Sequence, residues 1–258
     1  MIASLGMYDF VPTLQAANDR LWVGIRDGLR GHGIAAPGAL TRGDAAYWAA
    51  WQSPDLVFSQ TCGFPYRAQL WDKVTLIGTP DYALPDCPPG HYVSVYVARR
   101  DDPRQSLADF VGSRFAYNEG LSQSGWAAPQ NHAAMLGLRF GGHLQTGGHR
   151  LSALAVAQGL ADFAAIDAVT WALMLRHEPG VAALHQIAHT APPTPVLPFI
   201  AAIGVDKALY FAVVAAAIAA LSPHDRSTLM LRGIVDIPAS AYLAVPTPPA
   251  PGHLSPLW

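Results

Sequence analysis

Asn118-Glu119-Gly120-Leu121-Ser122-Gln123-Ser124-Gly125 and, further on, Gln145-Thr146-Gly147-Gly148-His149 are two small-residue turns, each opening onto a helical pattern. Trp126, Ala127, Ala133, Ala134, Met135 and Leu136 follow the first. Leu151, Leu154, Ala155 and Ala157 follow the second, which Gly159 closes where a helix C-cap belongs. Both turns are therefore read as helix N-termini. The first turn of a helix carries unpaired N–H groups and the positive end of the helix dipole, so Ser, Thr and Gly there offer donors to an anion without a bulky side chain in the way. One such turn alone is commonly just a cap, with Ser122, Ser124 or Thr146 serving its own helix. Two in one half of the chain, the second containing a histidine, point to a site for an oxyanion.

Outward from that stretch, composition narrows the class. The chain has 258 residues, which suits two small α/β lobes that share elements. Charged residues make up 13% and the net charge is -2, so there is no basic surface to neutralise a phosphate backbone and nucleic acid is not an expected partner. Residues Met1 to Phe10 have no cationic start, no long apolar run and an early Asp9, unlike a secretory signal. The expected compartment is periplasmic if a signal was removed or recoded, and otherwise cytoplasmic. The apolar run Ala208 to Leu221 is too short to span a bilayer and is flanked by Asp206, Lys207 and Pro223, so it reads as a buried helix without membrane insertion. Cys62 and Cys87 have no metal-ligand spacing, whether they pair is open, and no metal or cofactor is implied.

Strand and helix alternate along the rest. Ile2 to Met7 reads as a strand, then a loop from Tyr8 to Pro12 and a helix from about Thr13 to Leu29. A helix over Asp44 to Gln52 precedes a strand at Asp55 to Phe58, whose end delivers Gln60, Thr61, Cys62 and Gly63. Ligand crevices of open α/β sheets lie beyond the carboxyl ends of the strands, so the Tyr8 loop and the Gln60–Thr61 loop face one crevice in this reading. Val74 to Leu84 and Tyr92 to Ala98 are strand-like, and the second leads out of the first lobe. Further strands are expected at Arg114 to Tyr117, Asp162 to Ile166 and Ala183 to His189, with Asp167 capping a helix over Ala168 to Arg176. The Pro-rich segment Thr190 to Pro195 marks the return crossing. Helices near Asp206 to Leu221 and Pro223 to Gly233 complete the first lobe, and the Pro-rich tail after Val245 is an irregular strap or disordered. The expected lobes are 1–93 with 191–258, and 94–190.

Ser122-Gln123-Ser124-Gly125, then Thr146-Gly147-Gly148-His149, then Gly159-Leu160-Ala161-Asp162 and Ala165-Ile166-Asp167 resemble the phosphate/phosphonate substrate-binding proteins of ABC importers. That resemblance implies an α/β, two-lobed type 2 periplasmic-binding-protein fold with two hinge crossings, and a cleft that closes on a small anion. It also implies that Ser122, Gln123, Ser124 and Gly125 grip the oxyanion, that His149 joins them, that Asp167 accepts from the ligand and that Tyr8 walls the site. An ABC permease is the implied partner.

Two rivals follow from the same residues. Cys62, followed by Gly63 at a strand end, could act with His149 as a hydrolase, although no third orienting group is visible. A cytoplasmic ligand sensor could use the same hinge as a switch. The reading favoured is a non-enzymatic solute-binding protein. Trp126 and Trp171 are expected in helix cores, and Asp162 at a supporting strand end.

Overall fold

Alternating strands and helices build two contact-dense units in the computed structural model, which describes residues 1–251. The first unit comprises Met1–His91 and Pro195–Ala244; the second comprises Tyr92–Thr194 and the tail from Val245. The chain thus leaves the first unit after His91, returns after Thr194 and leaves again after Ala244. The tail, grouped with the first lobe in the sequence reading, falls with the second unit.

In the first unit a five-stranded sheet runs in the order Ile2–Ser4, Leu56–Gln60, Phe199–Ala202, Val74–Asp81, Gly233–Val235. Ile2–Ser4 and Leu56–Gln60 are parallel, and Phe199–Ala202 is antiparallel to both its neighbours. The strands ending at Ser4, Gln60 and Asp81 therefore finish at one edge. Leu56–Gln60 is buried at every residue because both faces of this sheet are covered, so its sequence is not alternating but continuous. Helix Pro12–Gly31 starts on proline and buries Leu14, Ala17, Leu21, Trp22, Ile25 and Leu29, a stripe at helical spacing. Trp22 stacks on Phe58 of the sheet. Helix Lys207–Ala220 lies against it closely enough that a Cβ at Gly28 would stand 2.7 Å from Val213 Cγ1. Tyr242 of the short helix Ala239–Leu243 closes the other side, with its hydroxyl bonded to Thr79 and to the Val196 carbonyl.

The second unit has its own five-stranded sheet, in the order His143–Gln145, Phe115–Tyr117, Phe163–Asp167, Ser94–Arg99, Leu184–His189. The first three are parallel and Ser94–Arg99 is antiparallel to its neighbours. Tyr96, Phe110, Phe115, Phe140 and Phe163 form its aromatic core, with ring centroids 4.9–6.4 Å apart. Asp162 ties the strand start, accepting from Arg104 and from the Arg114 amide.

Several elements differ from expectation for local reasons. The helix expected over Asp44 to Gln52 is a 3-10 turn, Gly43–Ala46, followed by a single turn, Trp48–Trp51. The helix after Pro223 stops at Leu229, because Met230 adopts φ 56° and caps it, and Gly233–Val235 joins the sheet edge instead. Strands His143–Gln145 and Phe199–Ala202 were not foreseen, being too short to show a period of two. Among the described residues Cys62 and Cys87 form no disulfide. Among the described residues no single helix is long and apolar enough to cross a membrane, and Lys207–Ala220 breaks from Pro223–Leu229 by 112°.

Candidate functional site

Because three strands of the second unit are parallel, Tyr117, Gln145 and Asp167 end at the same sheet edge, and a helix starts just beyond each. The antiparallel neighbour begins there too, since Ser94 pairs with Asp167. Topology thus gathers three helix N-termini and the start of a strand on one side of the second unit.

At the first start, Ser122 Oγ accepts from the Gly125 amide at 3.0 Å. The turn Gln123–Ala127 is π-helical: the Ala127 amide reaches past the usual partner to the Ser122 carbonyl at 2.9 Å, before a regular helix continues over Ala128–Met135. Such wide turns are rare and often mark functional sites. Gly125 is required by packing, because a Cβ there would stand 1.9 Å from Asn118 Oδ1. Ser122, Gln123 and Ser124 are all buried, at 5%, 1% and 2% exposure. Gln123 Nε2 reaches Thr194 Oγ1 at 3.5 Å.

Helix His149–Ala157 opens the second start, where Gly147 takes φ 87° to turn the chain. Thr146 Oγ1 lies 3.1 Å from the Tyr117 carbonyl and 2.7 Å from Ser152 Oγ, so its hydroxyl is engaged in fastening the turn. His149 Nε2 and Ser124 Oγ are 2.8 Å apart, which joins the first start to the second. Burial pushes the His149 pKa down to about 4, opposed weakly by the Ala165 backbone, and Nδ1 has no well-formed hydrogen bond. The imidazole is therefore neutral at pH 7. At the third start, Asp167 Oδ1 accepts from the Thr170 amide at 2.8 Å and caps helix Ala168–His177.

Two residues that sequence reading passed over complete this edge. Ser94 Oγ donates to the Ser124 carbonyl at 2.8 Å, and the Ser94 amide donates to Thr190 Oγ1 at 2.8 Å. Neither sits in a small-residue turn before a helix, so only the antiparallel register brings them in. The assembled chemistry is a set of hydroxyls, helix-start amides and a neutral imidazole, with one buried carboxylate. Such donors stabilise a small anion without a cationic side chain.

Tyr8, Gln60 and Thr61 belong to the first unit. Tyr8 meets Tyr82 edge-on at 5.4 Å, and Gln60 Nε2 donates to Tyr82 Oη and to the Leu197 carbonyl, each at 3.1 Å. Asn18, Tyr8, Gln60 and Tyr82 line one small cavity floored by Leu21 and Phe199. Thr61 is fully buried, its amide bonded to the Pro198 carbonyl and its hydroxyl without a partner among the described residues. Cys62 is buried beside it. Among the described residues no His, Cys, Asp and Glu cluster could hold a metal ion.

Comparison with known proteins gives a consistent outcome. The family described as "ABC transporter, phosphonate, periplasmic substrate-binding protein" matches residues 71–238. No curated protein sequence matches the chain. Among solved structures, the chain is similar to PhnD1 from Prochlorococcus marinus (MIT 9301) in complex with methylphosphonate, at 15% identity and TM-score 0.68, covering 93% of this chain and 94% of that one. It is also similar to XAC2383 from Xanthomonas citri bound to chloride ion, at 17% identity and TM-score 0.68, covering 93% and 92%. A binding protein component of an ABC phosphonate transporter from Pseudomonas aeruginosa aligns at 15% identity and TM-score 0.65, over 91% and 80%. At these identities the structural likeness establishes a common two-lobed α/β fold.

Proposed function

The chain belongs to the phosphonate ABC-transporter periplasmic substrate-binding proteins and has a solute-binding role; on that premise we propose that its ligand is a small tetrahedral oxyanion, a phosphonate or phosphate, held at the strand-end edge of the second unit. The observation that carries this is the convergence of three helix starts there, two of them linked by the Ser124–His149 hydrogen bond. In this reading Ser124 contributes a hydroxyl donor, Gln123 and Gly125 belong to the turn whose amides face the anion, Ser122 holds that turn in shape, and Thr146 fastens the second turn with its own hydroxyl. His149, being neutral, offers a hydrogen bond without competing as a counter-ion. Asp167 repels a fully ionised ligand and selects a protonated oxygen on it. The protein works without catalysis, on the periplasmic side, and delivers its ligand to an ABC permease.

A thermal-shift and calorimetric series with methylphosphonate, phosphate, sulfate and acetate tests this. Methylphosphonate or phosphate at a hundredfold excess over its Kd stabilises the parent by about 2.7 kcal/mol. Ser124→Ala weakens the affinity roughly ten- to hundredfold, since a hydrogen bond to a charged group contributes about 1.5–3 kcal/mol. No stabilisation by any of these anions, or equal affinity in Ser124→Ala and parent, sinks the assignment.

A further inference from the structure

The Pro-rich tail lies along the oxyanion turn in reverse order. Pro251 faces Gly120, where a Cβ would stand 3.0 Å from its Cδ; the Pro249 carbonyl accepts from Trp126 Nε1 at 3.0 Å; and the Pro246 carbonyl accepts from Asn131 Nδ2 at 2.9 Å. Three contacts thus bracket the turn from the residue before it to the helix beyond it. Prolines have no amide to donate and hold an extended backbone whose carbonyls stay outward, so this tail is suited to accept from side chains along its length. The turn it lies on has reason to need support. Its π-helical bonding is less favourable than an α-turn, and its last residues are fixed through the Trp126 ring, which is 3% exposed and packed at 4.8 Å on Tyr117 and 4.9 Å on His143.

We propose that the strap Val245–Pro251 is a positioning element for oxyanion capture, clamping Trp126 and Asn131 so that Ser122–Gly125 is held in its anion-ready form before the ligand arrives. The proposal rests on the oxyanion reading of that turn. Its physical content is preorganisation: a turn already ordered gives up less conformational freedom on binding, which shows as tighter affinity. Trp126 and Asn131 are positioning residues and touch no ligand.

The experiment compares the full chain with Trp126→Phe, which keeps the ring packing and deletes the indole donor, with Asn131→Ala, and with a chain ending at Ala244. Hydrogen exchange of the unliganded proteins is measured at the amides of Gln123–Ala127 and, as an internal control, along His149–Ala157. Kd for methylphosphonate and for phosphate is measured on the same samples. In the variants, exchange at Gln123–Ala127 quickens about tenfold while His149–Ala157 keeps the parent rate, and Kd rises roughly three- to tenfold, the range of one lost hydrogen bond. Unchanged exchange at the turn overturns the proposal, as does an equal rise across both helices, which would make the strap a general stabiliser of the unit. Should Trp126→Phe fail to fold, Asn131→Ala and the shortened chain carry the same readout. If the parent binds neither anion, the ligand assignment falls by itself and the exchange pattern still decides whether the strap clamps the turn.

Discussion

At residue scale the second unit depends on a few side chains whose surroundings set their chemistry. His149 has its pKa lowered by burial, from 6.5 to about 4, with the helix dipole not needed to explain it. The folded protein then binds fewer protons than the unfolded chain between those values, so stability is full above pH 6.5 and is lost as pH falls toward 4. The loss attributable to His149 amounts to at most roughly 3 kcal/mol. His149→Gln, which keeps a partner for Ser124, should flatten that part of the pH–stability curve, checked by urea melts at pH 7, 5.5 and 4.5; parallel curves for variant and parent would refute it. Gly125 makes a second residue-scale prediction. Gly125→Ala drives a methyl into Asn118 Oδ1 and Ser122 Oγ, costing about 1–3 kcal/mol and most of the anion affinity. Adding Asn118→Ala to it should restore part of both, read by thermal melts and calorimetry.

Elements carry the next level. The Pro12–Gly31 and Lys207–Ala220 helices approach closely at Gly24 and Gly28, where Ala217 and Val213 fill the space a side chain would take. Gly28→Leu should therefore lower stability by about 1–3 kcal/mol through overpacking. Because the proposed site residues, from Ser122 to Asp167, lie on other elements, its Kd for methylphosphonate should stay within twofold of the parent. A large affinity change in that variant would show that the helix pair and the binding residues are coupled.

For the whole molecule, charge is the telling quantity. The net charge is -2 and the proposed anion site is made of neutral donors and helix starts, not lysines or arginines. Buried interactions of that kind are screened far less than surface charge pairs. Raising the ionic strength from about 0.05 to 0.5 M with a non-binding salt should change Kd for methylphosphonate less than threefold, whereas a basic surface patch would lose far more. Calorimetric titrations at the two salt levels decide between them.

How much of this was legible in the sequence follows from how far each signal reaches. Helix starts and stops are written within a few residues of one another, so the turns at Ser122 and His149, the Asp167 cap and the Pro12 helix could be read directly. The order of the Ser and His turns carried the family, and the alternation of strand and helix carried the fold. Other features were decided only when the chain folded. Ser94 and Thr190 reach the Ser124 edge through antiparallel register across long stretches of chain, and no local pattern announces a partner that distant. The hydrogen bond between Ser124 and His149, the depressed pKa that burial gives the histidine, and the tail's settling along Gly120–Asn131 are likewise products of tertiary packing. Sequence determined which donors the protein has; the parallel order of three short strands decided that they would face the same side.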